Sequence, residues 1–203
     1  MSTRKIILAS SSPYRRELLS RLGLPFECIS PNVDETPIDH ETPAACALRL
    51  AREKAAVIAR QFPDAIVIGS DQVASCDGRR MDKPGTKERA FEQLQTQRGR
   101  TSEFHTAVCV MTDGGKTVAS DVVVINVVFR AAASLSDADL RRYIDLEMPL
   151  DCAGSAKSEG LGIALMESLT GPDPTALIGL PMIALTRLLR EVGIDPLQTN
   201  ASD

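Results

Sequence analysis

The sequence predicts an α/β protein, a mixed twisted sheet flanked by helices, on three observations. A short apolar run at residues 5–9 passes through a serine-rich turn into a helix, and a second apolar run at 65–69 follows a long helix; both read as buried strands. Between Glu103 and Arg130 two β-rich segments flank Asp113-Gly114-Gly115, a hairpin signal that marks the antiparallel part of the sheet. A length of 203 residues permits one large unit or two lobes around a cleft.

In the first unit, Ser10-Ser11-Ser12-Pro13 supplies an N-cap and a first-turn proline for a helix carrying Leu18, Leu19 and Leu22, which Gly23 closes. Strand, turn and helix start together aim backbone N–H groups and the positive end of the helix dipole at any anion above the strand. Arg15 and Arg16 stand in the first turn, where cations oppose the dipole at a cost of roughly a few tenths of a kcal/mol. Phosphate binding accounts for that cost. Helical geometry turns Arg16 away from Ser10 and ranks it behind Arg15.

After a linker containing Pro31-Asn32-Val33-Asp34-Glu35-Thr36-Pro37, Thr42 and Pro43 open a second helix that runs to about Gln61. Its apolar stripe passes through Ala47, Leu50, Ala51, Val57 and Ile58, and Lys54 falls on that stripe. Spacing alone leaves open whether Lys54 points into a cleft or snorkels to the surface. The strand at 65–69 delivers Ser70-Asp71-Gln72 at its carboxyl end, where ligand-facing residues of α/β sheets sit.

Asp77-Gly78 reads as a turn, followed by Met81-Asp82-Lys83-Pro84 and a helix from about Thr86 to Gln97 ended by Gly99. Ser136 and Asp139 form a capping box opening a helix to about Glu147. The stretch Ala153-Gly154-Ser155-Ala156-Lys157-Ser158-Glu159-Gly160 is too polar and glycine-rich for a core element and reads as a functional loop. Gly171-Pro172-Asp173-Pro174, a short helix from Thr175, a turn at Gly179-Leu180-Pro181 and an amphipathic helix to about Val192 close the chain.

Composition excludes several function classes. Aromatic residues are 3% of the chain, too few for a platform on which single-stranded bases stack, and a net charge of -4 offers no basic surface for a duplex. Five Cys with no C-x-x-C pair read as free thiols in a reducing compartment, most simply as small buried hydrophobes. Only two His exist, so a His-rich zinc site is excluded and a metal would need oxygen ligands, which points to magnesium or manganese. No signal segment and no apolar run near membrane-spanning length is present, so a cytoplasmic location is expected, with no membrane and no nucleic-acid partner.

The chemistry-bearing residues form a set. Arg15, Arg16, Lys54 and Lys83 are cations suited to phosphate, and Glu35 and Asp71 are carboxylates suited to a divalent metal and to a water nucleophile. A single surface Arg or Asp is most often merely solvated; together these match the needs of phosphoanhydride cleavage. No G-x-x-x-x-G-K-[ST] occurs, which excludes a Walker-type NTPase.

Leu8-Ala9-Ser10-Ser11-Ser12-Pro13-Tyr14-Arg15-Arg16, Val33-Asp34-Glu35-Thr36, Arg52-Glu53-Lys54-Ala55, Gly69-Ser70-Asp71, Asp82-Lys83-Pro84, Cys152-Ala153-Gly154 and Gly179-Leu180-Pro181 resemble the Maf family in order and spacing, over essentially the whole chain. That resemblance implies one Maf-like domain over 1–203, with two lobes around a central cleft and a fold related to the inosine-triphosphate pyrophosphatases. It also implies a divalent metal cofactor (Mg2+ or Mn2+), a homodimer, and cleavage of a nucleoside triphosphate to the monophosphate and pyrophosphate. By the same resemblance Asp71 activates water and shares the metal with Glu35, while Ser10, Arg15, Lys54 and Lys83 contact the triphosphate.

The family's dTTP- and UTP-hydrolysing branch carries Arg, Thr and Gln where this chain has Tyr14, Gln72 and Glu159. These three instead resemble the branch acting on 7-methyl-GTP. A methylated guanine is a cation, so an aromatic face can attract it and a carboxylate can accept from its N–H groups while offsetting its charge. The alternatives are a dTTP/UTP or broad-range pyrophosphatase and a nucleotide-binding regulator of septum formation; a mere sensor has no need of both Asp71 and Glu35.

Overall fold

The computed structural model describes residues 4–199. In chain order the elements are β1 (Ile6–Ala9), α1 (Pro13–Ser20), β2 (Phe26–Cys28), α2 (Pro43–Gln61), β3 (Ile66–Cys76), β4 (Arg79–Met81), α3 (Lys87–Gln97), β5 (Thr101–Thr112), β6 (Thr117–Phe129), α4 (Asp137–Glu147), β7 (Met166–Thr170), α5 (Thr175–Ile178), α6 (Met182–Glu191) and α7 (Pro196–Thr199). The strands form one mixed sheet ordered β2-β1-β3-β5-β6-β7, with β4 also paired to β3. β1 runs parallel to β2 and β3, and every other pairing is antiparallel. This is the expected α/β mixed sheet.

Three long strands run through two halves of the sheet. In one half β2 and β1 lie beside the start of β3, in register with the end of β5 and the start of β6: Val67 faces Met111, which faces Val118. In the other half β4 and β7 flank the same strands, where Cys76 faces Ser102 and Ser102 faces Val127. On the β1/β4 edge of β3 the pairing with β1 ends at Gly69 and that with β4 begins at Ala74. Residues 70–73 have no partner strand there, and the cleft opens at that gap.

The strand expected to end at Gly69 therefore continues seven residues further, and Asp71 lies in its middle instead of after its end. The polar triplet Ser70-Asp71-Gln72 looks like a strand terminus in sequence, yet the ladder to β5 carries the backbone through it. β2, β4 and β7, at three to five residues each, lack enough alternation to be read from sequence.

Both faces of the sheet are covered, so its central strands are apolar on both sides. α2 packs on one face through Ala47, Leu50, Ala51, Ala55 and Ile58, against Val67, Ala107 and Cys109. The other face buries Leu18, Leu19, Leu94, Phe104, Leu140, Ile144, Leu185 and Leu189 from α1, α3, α4, α6 and β5. Gly69 makes the α2 contact possible: a Cβ there would lie 2.2 Å from the Ala51 carbonyl oxygen. That close approach brings Lys54 of α2 over Asp71 of β3.

The helix starts follow the sequence. Ser12, Thr42 and Thr86 accept from Arg15 N, Ala45 N and Arg89 N, and Ser136 and Asp139 complete the capping box. α6 begins after Pro181, which offers no capping side chain, and the caps come from upstream. Buried Asp173 accepts from Ile183 N at 2.7 Å, and Thr175 Oγ1 from Met182 N at 2.9 Å. Among the described residues no helix is long and apolar enough to cross a membrane.

Candidate active site

A cleft of about 480 Å³ opens at the gap in β3, lined by the serine turn before α1, the Glu35 linker, Lys54, Asp71, Gln72, the β4–α3 connection, and the 151–159 loop with α5. Every residue singled out from sequence lines it except Arg16, which is exposed on the outer side of α1. Helical geometry turns Arg16 away from Ser10 and out of the cleft.

At its floor the Lys54 ammonium sits between two carboxylates, 2.6 Å from Asp71 Oδ1 and 2.7 Å from Glu35 Oε1. Lys54 and Asp71 are each only 7% exposed, which settles the orientation of Lys54 that spacing left open. A buried ammonium needs such partners, because desolvation otherwise outweighs its charge. Burial raises the Glu35 carboxyl, but the Lys54 hydrogen bond and charge, with Lys83 and Arg15, outweigh it and hold Glu35 below its ordinary range. Both carboxylates pair with one ammonium, and no other described donor reaches Asp71.

Glu35 stands on a loop with no secondary structure, so it must be fixed by contacts. Asp34 Oδ1 accepts from Thr36 N and Thr36 Oγ1 at 2.9 and 2.6 Å, an Asx turn around Glu35. Arg49 donates to the Thr36 carbonyl at 3.2 Å and pairs with Glu41 at 2.8 Å through both Nε and Nη2, pinning the linker to α2. Arg49 has no signature in the sequence, since a helical arginine is ordinarily solvated.

Above this floor lie the remaining cations. Arg15 Nε donates to the Gly179 carbonyl at 2.8 Å, leaving its terminal nitrogens for a ligand. Burial lowers its pKa while the charges of Asp71 and Glu35 raise it, and a guanidinium stays protonated throughout. Ser70 Oγ also reaches the Gly179 carbonyl, at 3.0 Å, so the turn quoted in the family motif is the anchor of Arg15. Ser10 Oγ accepts from Ser12 N at 3.1 Å and keeps its own proton to donate. Lys83 is exposed on the rim across from Glu35.

The cleft is also lined by Tyr14, Gln72 and Glu159. Gln72 Nε2 donates to Thr106 Oγ1, Ala176 O and Leu177 O at 2.9 to 3.0 Å, and Thr106 Oγ1 passes its own proton to Ala176 O at 2.8 Å. Two carbonyl acceptors fix the amide orientation, and Oε1 is the group left for a ligand. Gln72 is thus an acceptor for N–H groups. Glu159 is exposed at the rim, a second acceptor. Tyr14 is half-buried, and Lys157 Nζ lies 5.6 Å from its ring centroid. Sequence reasoning missed Lys157, a resident cation at the ring proposed to attract a cationic base.

The donor set fits a hard divalent cation. Two carboxylates stand either side of the Lys54 ammonium, and Mg2+ is commonly held by one or two carboxylates, with water and substrate phosphate completing its shell. Among the described residues no group of three or more His, Cys, Asp and Glu converges, so a softer, all-protein cage is not what this cleft offers. Cys152 lines the cleft, but burial and Asp151 push its thiol up to about 12, which leaves it protonated and unsuited to nucleophilic work.

Fold and cleft together define the class: an α/β protein whose cleft sets several cations beside a pair of carboxylates. Within that class the chain belongs to the Maf family, whose model, described as Maf-like protein, matches residues 5–192. It is 57% identical over 193 residues to the 7-methyl-GTP pyrophosphatase of Bordetella pertussis, covering 95% of this chain and 94% of that one. To the 7-methyl-GTP pyrophosphatase of Ralstonia nicotianae it is 57% identical over 189 residues, covering 92% and 95%. Among solved structures it is similar to a HAM1 protein from Coxiella burnetii at 17% identity and a TM-score of 0.44, over 63% of this chain and 73% of that one, too loose a likeness to carry a conclusion.

Proposed function

We propose that this chain hydrolyses 7-methyl-GTP to 7-methyl-GMP and pyrophosphate, removing a modified triphosphate before it can enter nucleic acid. The observation that carries the reaction is the Lys54 ammonium seated between Asp71 and Glu35, beneath Arg15, Ser10 and Lys83. The base assignment rests on Tyr14, Gln72 and Glu159 in the lining of the same cleft, and on the names of relatives more than half identical along nearly their whole length.

Each residue then has a task. Arg15, Lys83 and the Ser10 hydroxyl bind the phosphate oxygens and spread their charge. Lys54 neutralises the two carboxylates and has one N–H left for a phosphate oxygen. Asp71, through the oxygen that Lys54 leaves free, orients a water and takes its proton as the water oxygen attacks the α-phosphorus and the bond to the bridging oxygen of the departing pyrophosphate breaks. A divalent cation held by Asp71 and Glu35 would polarise the phosphoryl oxygens and offset charge on the departing pyrophosphate. Gln72 Oε1 and Glu159 accept from the N–H edge of guanine, and Tyr14 offers its ring face to the methylated base.

The two halves of the sheet work as one unit around the cleft, in a cytoplasmic homodimer. The free thiols support the location; the dimer rests on the resemblance alone. A panel of nucleoside triphosphates incubated with protein and magnesium or manganese tests the proposal. Fastest pyrophosphate release from 7-methyl-GTP is expected, and a preference for dTTP or UTP would overturn the base assignment.

A further inference from the structure

The loop that carries Glu159 has no secondary structure of its own between the short turn Ala153–Ser155 and Leu161, yet it is held at both ends from one helix. Tyr143, buried on α4, donates its hydroxyl proton to the Ser155 carbonyl at 3.2 Å and accepts from Lys157 N at 3.0 Å. One turn later Glu147 Oε1 accepts from Leu161 N at 2.9 Å, and Glu147 Oε2 pairs with Lys157 Nζ at 3.5 Å. Residues four apart on a helix share a face, so these side chains form one row against the loop.

The glycines fit the same arrangement. A Cβ at Gly160 would lie 2.8 Å from Glu147 Oε1, and one at Gly162 would lie 2.4 Å from the Lys157 carbonyl oxygen. The loop is thus folded back on itself and pressed against the Glu147 carboxylate, with Glu159 between the two fastened ends. The same Lys157 whose backbone Tyr143 holds places its ammonium by the Tyr14 ring.

We propose that Tyr143 and Glu147 are positioning residues for base selection: α4 fastens the loop so that Glu159 is preset at the rim of the cleft where it meets the base. The inference rests on the reading of Glu159 as the base-recognising carboxylate. Neither residue lines the cleft, so neither acts on phosphate. Loss of a fastening lets Glu159 sample positions outside hydrogen-bond reach, which weakens base binding and leaves the phosphate chemistry in place.

The test uses Tyr143→Phe, which removes one hydroxyl and keeps the packing, together with Glu147→Ala and Glu147→Gln. Amide hydrogen exchange of the uncomplexed protein is read over residues 156–161, and KM and kcat are read for 7-methyl-GTP and GTP. Faster exchange in that segment alone is expected in Tyr143→Phe and Glu147→Ala, with KM for 7-methyl-GTP raised about three- to tenfold and kcat within twofold of wild type. Glu147→Gln keeps an oxygen for Leu161 N and should recover most of the Glu147→Ala loss.

Unchanged exchange in both variants would overturn the fastening, whatever the substrate proves to be. Faster exchange with an unchanged KM, or with a fall in kcat alone, would overturn its role in base selection. Wild-type protein without any preference for 7-methyl-GTP would instead count against the function proposed above, leaving the exchange result to judge the fastening by itself.

Discussion

Replacing Asp71 with Asn removes the carboxylate that takes the proton of water and shares the metal, while shape and most packing are kept. Asp71 is 7% exposed in the middle of β3, and its one described polar partner is Lys54 at 2.6 Å. The Asn carbonyl oxygen can still accept from that ammonium, so the fold loses only the difference between a charge-assisted and a neutral hydrogen bond, about 1 kcal/mol. In a chain of 203 residues that lowers Tm by roughly 2–4 °C. Glu35 remains to balance Lys54, which keeps the ammonium from becoming an unpaired buried charge. Catalysis should suffer far more: an amide cannot take the proton of water, and loss of a positioned base costs on the order of 10² to 10⁴ in kcat. Triphosphate binding should be retained, since Arg15 and Lys54 lose a competing anion. Pyrophosphate release at saturating nucleotide, with circular dichroism as a check on the fold, reads both effects. A folded Asp71→Asn protein that keeps the wild-type rate would refute the assignment.

Three further outcomes follow from the same geometry. Glu159→Gln removes charge without changing shape and should reduce the preference for 7-methyl-GTP over GTP by roughly ten- to a hundredfold in kcat/KM, and Tyr14→Ala should weaken it by about 0.5–2 kcal/mol; competition assays that show the wild-type ratio in both would sink the base reading. Lys157→Met removes the cation 5.6 Å from the Tyr14 ring and should raise that same preference, whereas a fall would show that the ammonium assists the base. Hydrogen bonds from Arg49 hold the Glu41 carboxyl at about 2 against an ordinary 4.5. A depressed folded pKa gives stability that is complete above the unfolded value and is lost as pH falls towards the folded one. The excess stability of wild type over Glu41→Gln in denaturant titrations should therefore be constant near neutrality and shrink between about pH 5 and 2; a gap that widens on acidification would contradict it.

Most of the frame could be read from residue pattern because its signals are local. Proline after Ser12 and Thr42, the capping box at Ser136 and the glycines beside Asp113 each act within a few residues, and all four stand where they were expected. The continuation of β3 past Gly69 was not legible, since it depends on pairing with β5, whose partners run from Val108 for Ser70 to Ser102 for Cys76. The distinction matters for the site: Asp71 faces the cleft because β1 stops short and β4 starts late along its edge, a consequence of topology that no local pattern encodes. Lys54 was legible as a lysine on an apolar stripe, but its partners were not, because Gly69 lets α2 approach in a way visible only in three dimensions. The same holds for residues that orient others. Arg49, Thr106, Tyr143, Glu147 and Lys157 look in sequence like ordinary helix, strand and loop residues, and their importance arises from what they hold.

The central claim is that this cleft breaks the bond between the α- and β-phosphates of 7-methyl-GTP. Chromatography of the products formed by purified protein and magnesium decides it in one experiment. The account predicts 7-methyl-GMP and pyrophosphate in equal amounts, with no diphosphate at any time point. Accumulation of 7-methyl-GDP with inorganic phosphate would contradict it.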